Sequence, residues 1–142
     1  MVVGPPTTGV RRTSDAVIFA GGTDDVAAYL KLFDLFAFPS FSEGLGIVIL
    51  EAQAAGTPVL MPENMPREVV VVPECITELP LATGPSAWAQ AMARLVAAEK
   101  PDSGAALAGV EASVFGMRRC LDDLNAIYCT ELRKLPKAKA DQ

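Results

Sequence analysis

The stretch Pro39–Leu60, PSFSEGLGIVILEAQAAGTPVL, constrains the fold more than any other part of this chain. It reads as the end of a buried strand, a short polar turn, a helix, and the start of the next strand. Ser40 and Ser42 supply turn and cap chemistry, and Glu43-Gly44-Leu45-Gly46 opens the helix without side-chain bulk. Gly56 closes it, with Pro58 just beyond as a stop. Between those ends the residues are apolar almost all round, so the helix is expected to lie largely buried against a sheet. Glu43 and Glu51 interrupt this run eight residues apart. That separation is about 12 Å of rise if both stand on the helix. A carboxylate on a buried helix needs a partner, and none is near in sequence.

The residues admit two interpretations. A glycine-bearing turn leading into a helix presents free backbone N–H groups and the positive end of the helix dipole, which suits a phosphate or diphosphate. Carboxylates accept hydrogen bonds from pairs of sugar hydroxyls, so a ligand shaped like a nucleotide sugar could touch both Glu43 and Glu51. Alternatively, Glu43 is a favourable acid at the helix start and Glu51 a solvated residue on a half-exposed helix. Physical chemistry alone leaves both open.

The block EGLGIVILE, preceded by FPSFS and followed by AQAAGTPVL, resembles the E-x7-E signature of retaining GT-B glycosyltransferases of the group 1 class, family four. Upstream, VIFAGGTDDVAAYLKLFDLFAFPS is similar to that class in order and spacing. The segment from Glu68 through Trp88 resembles its capsular or exopolysaccharide branch. The resemblance covers roughly residues 16–128 and favours a donor site. It implies that Glu43 is the catalytic-site carboxylate holding donor-sugar hydroxyls. Gly44, Leu45 and Gly46 would offer backbone donors to the sugar and phosphate, and Glu51 would hold the ribose hydroxyls. Gly22 and Asp24 become neighbours of the base. The class generally needs no metal, so no cofactor is expected.

The rest of the chain alternates strand and helix. Val17–Ala20, ending in Gly21-Gly22, fits a buried parallel strand, and Asp24 is the expected N-cap of a helix through Leu30 and Phe33. Leu35–Phe38 and Val59–Met61 are the next strands. Val69–Val72 is expected as an extended segment and Cys75–Leu79 as a fourth short strand. Ser86 is expected to cap a helix through Trp88, Met92, Leu95 and Val96, with Trp88 either a stacking platform or a core anchor. Pro101–Gly104 reads as a linker. Residues 105–133 read as mostly helical, with breaks at Gly109 and Gly116 and a shared face of Val114, Leu121, Leu124, Ile127 and Tyr128. The expected architecture is α/β: a Rossmann-like parallel sheet with flanking helices, residues 1–133, followed by a disordered basic tail over 134–142.

The first fifteen residues are a poor helix sequence, and the family's basic diphosphate clamp has no clear counterpart there. Arg11 and Arg12 either replace it or form a solvated basic turn. With no acceptor-binding half in view, the expectation is a domain shortened at its N-terminus: a truncated chain, a gene fragment or one half of a split enzyme. The implied partners are a nucleotide-sugar donor, such as a UDP-sugar, and an acceptor domain. Peripheral membrane association would come only through that missing half, and homo-oligomerisation is open, since a cut sheet exposes an edge. Two other functions are a non-catalytic nucleotide- or sugar-binding module and a helper subunit that completes a split glycosyltransferase.

Composition sets the outer bounds. The 142 residues suffice for one core, and a net charge of −5 argues against non-specific nucleic-acid binding. The start lacks the pattern of a signal peptide, and no apolar run reaches the roughly 18 residues of a membrane span, so the expected location is cytoplasmic. Cys75, Cys120 and Cys129 are odd in number and widely spaced, and read as buried small hydrophobes. Histidine is absent, which removes the commonest metal ligand and general base.

Overall fold

The computed structural model describes residues 2–3 and 17–134. The elements in chain order are β1 (Val2–Val3), β2 (Phe19–Gly21), α1 (Val26–Leu32), β3 (Phe36–Ala37), α2 (Ile47–Ala54), β4 (Val59–Met61), β5 (Ile76–Glu78), α3 (Gly84–Ala97), α4 (Ser103–Ala112) and α5 (Met117–Lys134). Every pairing is parallel, in two ladders: β1 with β2, and β3–β4–β5 with β4 in the middle. Phe36 stands opposite Val59, and Val59 opposite Ile76. Short parallel strands with flanking helices give the expected α/β architecture with a small parallel sheet.

The core is organised by β4. Successive residues of a strand point to opposite faces, and here all three are fully buried. Val59 and Met61 join Leu30 of α1, Ile49 and Leu50 of α2, Met65 and Val69. Leu60 points the other way, onto Trp88 and Ala91 of α3. Helices therefore cover both faces, and each fully buried aliphatic side chain contributes about 1.5–3 kcal/mol. Trp88 is a core anchor, 8% exposed, with its indole N–H directed to the Pro80 carbonyl at 3.3 Å.

Several boundaries differ from the sequence expectation, each for a local reason. The cap of α1 is Asp25, not Asp24: its carboxylate accepts from the Ala28 amide at 2.9 Å, while its own N–H is held by Thr23 Oγ1. Helix α2 begins at Ile47, not at Glu43, because Gly46 is left-handed (φ 79°, ψ 52°) and cannot continue a right-handed helix. Its far end follows expectation. Gly56 (φ 70°) donates to the Gln53 carbonyl and Thr57 to that of Ala52, both at 2.9 Å, a Schellman motif. Burial of α2 is one-sided: Ile49, Leu50, Ala52 and Gln53 are covered, whereas Ile47 is 64% exposed.

Val69–Val72 is not one extended segment. A 3-10 turn takes Arg67–Val69 and a second takes Pro73–Cys75, because Gln53 captures the backbone between them. Helix α3 starts at Gly84, ahead of Ser86, with no side-chain cap. The expected linker at Pro101–Gly104 shrinks because Asp102 caps α4 through the Ala105 amide at 2.7 Å. Gly109 lies inside α4, where a Cβ would press on Val72 at 3.3 Å, so it marks close packing and not a break. The break falls at residues 113–116. Helix α5 runs one residue into the expected tail, through Lys134, and every residue from Met117 to Glu131 is exposed. Cys75 is buried as expected, but Cys120 and Cys129 are exposed because nothing in the described chain covers α5. The remainder of the tail, residues 135–142, and the Arg11-Arg12 turn lie outside the described residues.

Candidate functional site

In the ladder β3–β4–β5 the strands are parallel, so the loops leaving their C-terminal ends emerge on one side, the usual place for a ligand site in such sheets. The loop after β3 carries Glu43, Gly44, Leu45 and Gly46 and feeds α2. Of these, Glu43 and Gly44 are exposed, and Leu45 and Gly46 half-buried. Gly46 has to be glycine: its φ is 79°, and a Cβ there would stand 3.0 Å from Ile49 Cδ1. Gly44 carries no such demand, since a Cβ there would meet nothing within 4 Å.

The left-handed residue before α2 has a chemical consequence. Glycine provides no side-chain cap, and the helix begins without one. The Ile49 amide bonds back to the Gly46 carbonyl at 2.8 Å, while the amides of Ile47 and Val48, ahead of it, have no intrahelical acceptor. Together with the helix dipole they form an electropositive end at the mouth of the loop.

Glu43 lies off the helix, in the turn before it, so the rise of about 12 Å that would separate the carboxylates if both stood on α2 does not apply. Its Oε1 accepts from the Ser40 hydroxyl at 2.7 Å. Glu51 sits four residues into α2, about 6 Å up the axis from Ile47 and on the same exposed side. Helical side chains lean toward the N-terminus, so Glu51 leans toward the open end of α2. Both carboxylates are exposed, which removes the concern about a buried carboxylate without a partner.

Gly22 and Asp24 lie on the loop after β2, both exposed, with open space around a Cβ at Gly22. Among the described residues no hydrogen bond or ion pair joins them to the Glu43–Glu51 group. Two cavities of about 540 and 510 Å³ flank α4. The first lies among Lys31, Gly56, Lys100 and Ser103, the second among Val72, Glu74 and Asp102, and neither is lined by Glu43 or Glu51.

Sequence reasoning overlooked three polar groups, two at this end of the sheet and one at the far end of α2. Asn64, in the loop after β4, donates from Nδ2 to the Phe41 carbonyl at 2.7 Å. Arg67 pairs with Glu78 at the end of β5, at 2.9 and 3.2 Å to its two oxygens. Gln53 is fully buried and makes four hydrogen bonds, to Ile49, Val69, Val71 and Val72. Only Gln53 left a readable signal, as an amide in a helix that is apolar apart from it and Glu51.

The family model described as "Glycosyl transferases group 1" matches residues 1–98. The chain is similar to the putative glycosyltransferase EpsF of Bacillus subtilis, 35% identical over 85 residues, which are 60% of this chain and 22% of that protein. It is also similar to two proteins named D-inositol 3-phosphate glycosyltransferase. The one from Salinispora tropica is 36% identical over 110 residues, 74% of this chain and 22% of that protein. The one from Saccharomonospora viridis is 39% identical over 111 residues, 76% of this chain and 25% of that protein. The chain thus spans about a quarter or less of the curated relatives it matches. No solved structure matches it.

Proposed function

The chain belongs to the group 1 glycosyl transferases, and on that premise we propose that it forms the nucleotide-sugar-binding portion of a retaining GT-B enzyme of family four. In this reading the diphosphate of the donor sits over the uncapped N-terminus of α2. The amides from Gly44 to Val48 face its phosphates and sugar, and Glu43 accepts hydrogen bonds from hydroxyls of the transferred sugar. Glu51, leaning toward the same end from one turn up, takes the ribose hydroxyls. Gly22 and Asp24 lie toward the base. The acceptor, a glycan or a lipid-linked saccharide, is bound by a portion of the enzyme outside this chain, and no metal is assigned a role. In the same reading, supported by the resemblance of Glu68–Trp88, the enzyme belongs to the capsular or exopolysaccharide branch, and it works in the cytoplasm.

The observation that carries the proposal is the left-handed Gly46. It leaves the first amides of α2 uncapped by any side chain, with a carboxylate on either side of them, both open to solvent. The test is a ligand-observed NMR titration, which registers millimolar affinities, using UDP, GDP and ADP and their glucose or mannose esters. At least one nucleoside diphosphate should bind. Glu51→Gln should weaken that binding by about 1–3 kcal/mol, the range for hydrogen bonds to a charged group, and keep the fold. Glu43→Ala should spare free nucleotide and weaken the nucleotide sugar. Absence of binding across the whole panel, or equal affinity in a folded Glu51→Gln variant, would overturn the assignment.

A further inference from the structure

We infer that Asn64 is a positioning residue for the Glu43 carboxylate, acting through the backbone of Phe41. The inference rests on the donor-site reading above for its functional meaning, and on geometry for everything else. Residues 41–44 are all exposed, and the Phe41 ring is 83% accessible, so no apolar packing holds this part of the loop. What remains is polar. The Ser40 hydroxyl lies 2.7 Å from Glu43 Oε1 and 3.4 Å from the Ser42 carbonyl, both within the loop itself. Among the described residues, the hydrogen bond that ties residues 41–44 to another part of the chain is the one from Asn64 Nδ2 to the Phe41 carbonyl, at 2.7 Å.

Both ends of that tether are well placed to transmit position. Asn64 follows β4, whose three residues are all fully buried, and its turn is pinned by the buried side chain of Met65, 4% exposed. Phe41 is flanked by Ser40, whose amide is fixed to the Phe38 carbonyl at 2.9 Å, while the Phe38 amide is fixed to the Leu60 carbonyl of β4 at 2.9 Å. The loop is thus held to β4 at its base through Phe38 and at its tip through Asn64. Ser40, fixed between the two, directs its hydroxyl onto one oxygen of Glu43 and leaves the other oxygen for a ligand. A main-chain carbonyl held by an outside side chain limits how far the loop can swing, which is what a carboxylate meant for a particular pair of hydroxyls requires.

Asn64→Ala removes the donor, and Asn64→Asp removes it while keeping the shape. Backbone 15N relaxation of the free chain reads the loop directly. Order parameters at Ser42, Glu43 and Gly44 should fall from the rigid value of about 0.85 toward 0.6 or below in both variants, while those of α2 and β4 stay at wild-type values. In the same samples, titration with UDP and UDP-glucose, and with the GDP and ADP pairs, should show nucleotide affinity unchanged within about twofold. The additional affinity contributed by the sugar should drop about fivefold or more, a split that general destabilisation would not produce. Unchanged order parameters in both variants would overturn the tether. A loosened loop with an intact sugar contribution would overturn its link to Glu43. A loosened loop in a chain whose wild type binds no member of the panel would uphold the tether and overturn the donor-site reading instead.

Discussion

Replacing Gln53 with leucine should cost the fold about 2–4 kcal/mol, although the substitution puts an apolar residue of similar length into an apolar helix. The figure follows from what the amide does. Its Nε2 donates to the Val69 carbonyl at 2.7 Å and to Ile49 at 3.0 Å. Its Oε1 accepts from the amides of Val71 and Val72 at 2.9 and 2.8 Å. The amide's capacity is filled, two donors and two acceptor sites. Leucine leaves three backbone groups of the 69–72 segment without their partner, each costing roughly 1–3 kcal/mol if sealed from water. Val71 and Val72 are only half-buried, so water recovers part of that, and the better transfer energy of leucine recovers more. At roughly 3–4 °C per kcal/mol for a domain of this size, the midpoint should fall by roughly 6–16 °C.

The assay is thermal and urea denaturation by circular dichroism, combined with amide hydrogen exchange, in which Val71 and Val72 should lose protection before α2 does. Gln53→Glu sharpens the test, since it keeps Oε1 but turns an oxygen toward two carbonyls. Burial and that repulsion raise the carboxyl's pKa in the folded state. Its stability deficit should therefore be smallest below the ordinary glutamate value of about 4.3 and grow as pH rises through the folded value. A Gln53→Leu loss under about 0.5 kcal/mol, with unchanged exchange at Val71 and Val72, would refute the reasoning, because the bonds would then be worth no more than those to water.

Three further outcomes are expected. Gly46→Ala should cost about 1–3 kcal/mol from its positive φ, whereas Gly44→Ala should stay within about 0.5 kcal/mol; urea denaturation of the pair checks both. The Cys75 thiol is pushed above its usual value of 9.0 by burial, with the Glu74 carboxylate adding to the shift. The unfolded chain therefore loses that proton first, stability falls from about pH 9 upward at no more than about 1.4 kcal/mol per pH unit, and Cys75→Val should flatten the slope measured between pH 8 and 10. On α5, Leu121→Lys and Ile127→Lys should each leave the melting midpoint within about 2 °C, because both side chains are more than half exposed in the described chain; a larger drop would mean that something covers them.

Much of the strand–helix order was legible because each strand or helix carries its own signal. The apolar triplet Val59–Met61 is bounded by Pro58 and Pro62, and its strand limits match the expectation residue for residue. Gly56 closes α2 as its position next to Thr57-Pro58 foretold. Where expectation and structure part, the deciding partner lies elsewhere in the chain or in a dihedral. The run EGLG gives no sign of which glycine turns left-handed, so the helix was expected to open within it, whereas α2 starts one residue after it. Asp24 and Asp25 are equally good caps on composition, and Thr23 decides between them. Val69–Val72 has every local mark of extended chain, and Gln53, some 16 residues upstream, bends it. The loop carrying Glu43 was recognisable as a motif, but not the Asn64 tether, since an asparagine among prolines looks like any other turn residue.

The close seat of α4 on α2 bears on how such domains could be exchanged between enzymes. A Cβ at Gly56 would lie 2.7 Å from Ser103 Cα, so α4 rests on the very turn that ends the helix bearing Glu51. The family match stops at residue 98, ahead of α4. A chimera joined at that boundary would pair this α2 with a foreign α4, and any bulk in the newcomer's first turn would press on the end of a helix only eight residues long, about 12 Å. The displacement would reach the Gly46 end almost undiminished, because a helix that short behaves as a rigid rod. The natural crossover therefore lies beyond α4, in the break at residues 113–116, so that the two helices travel together.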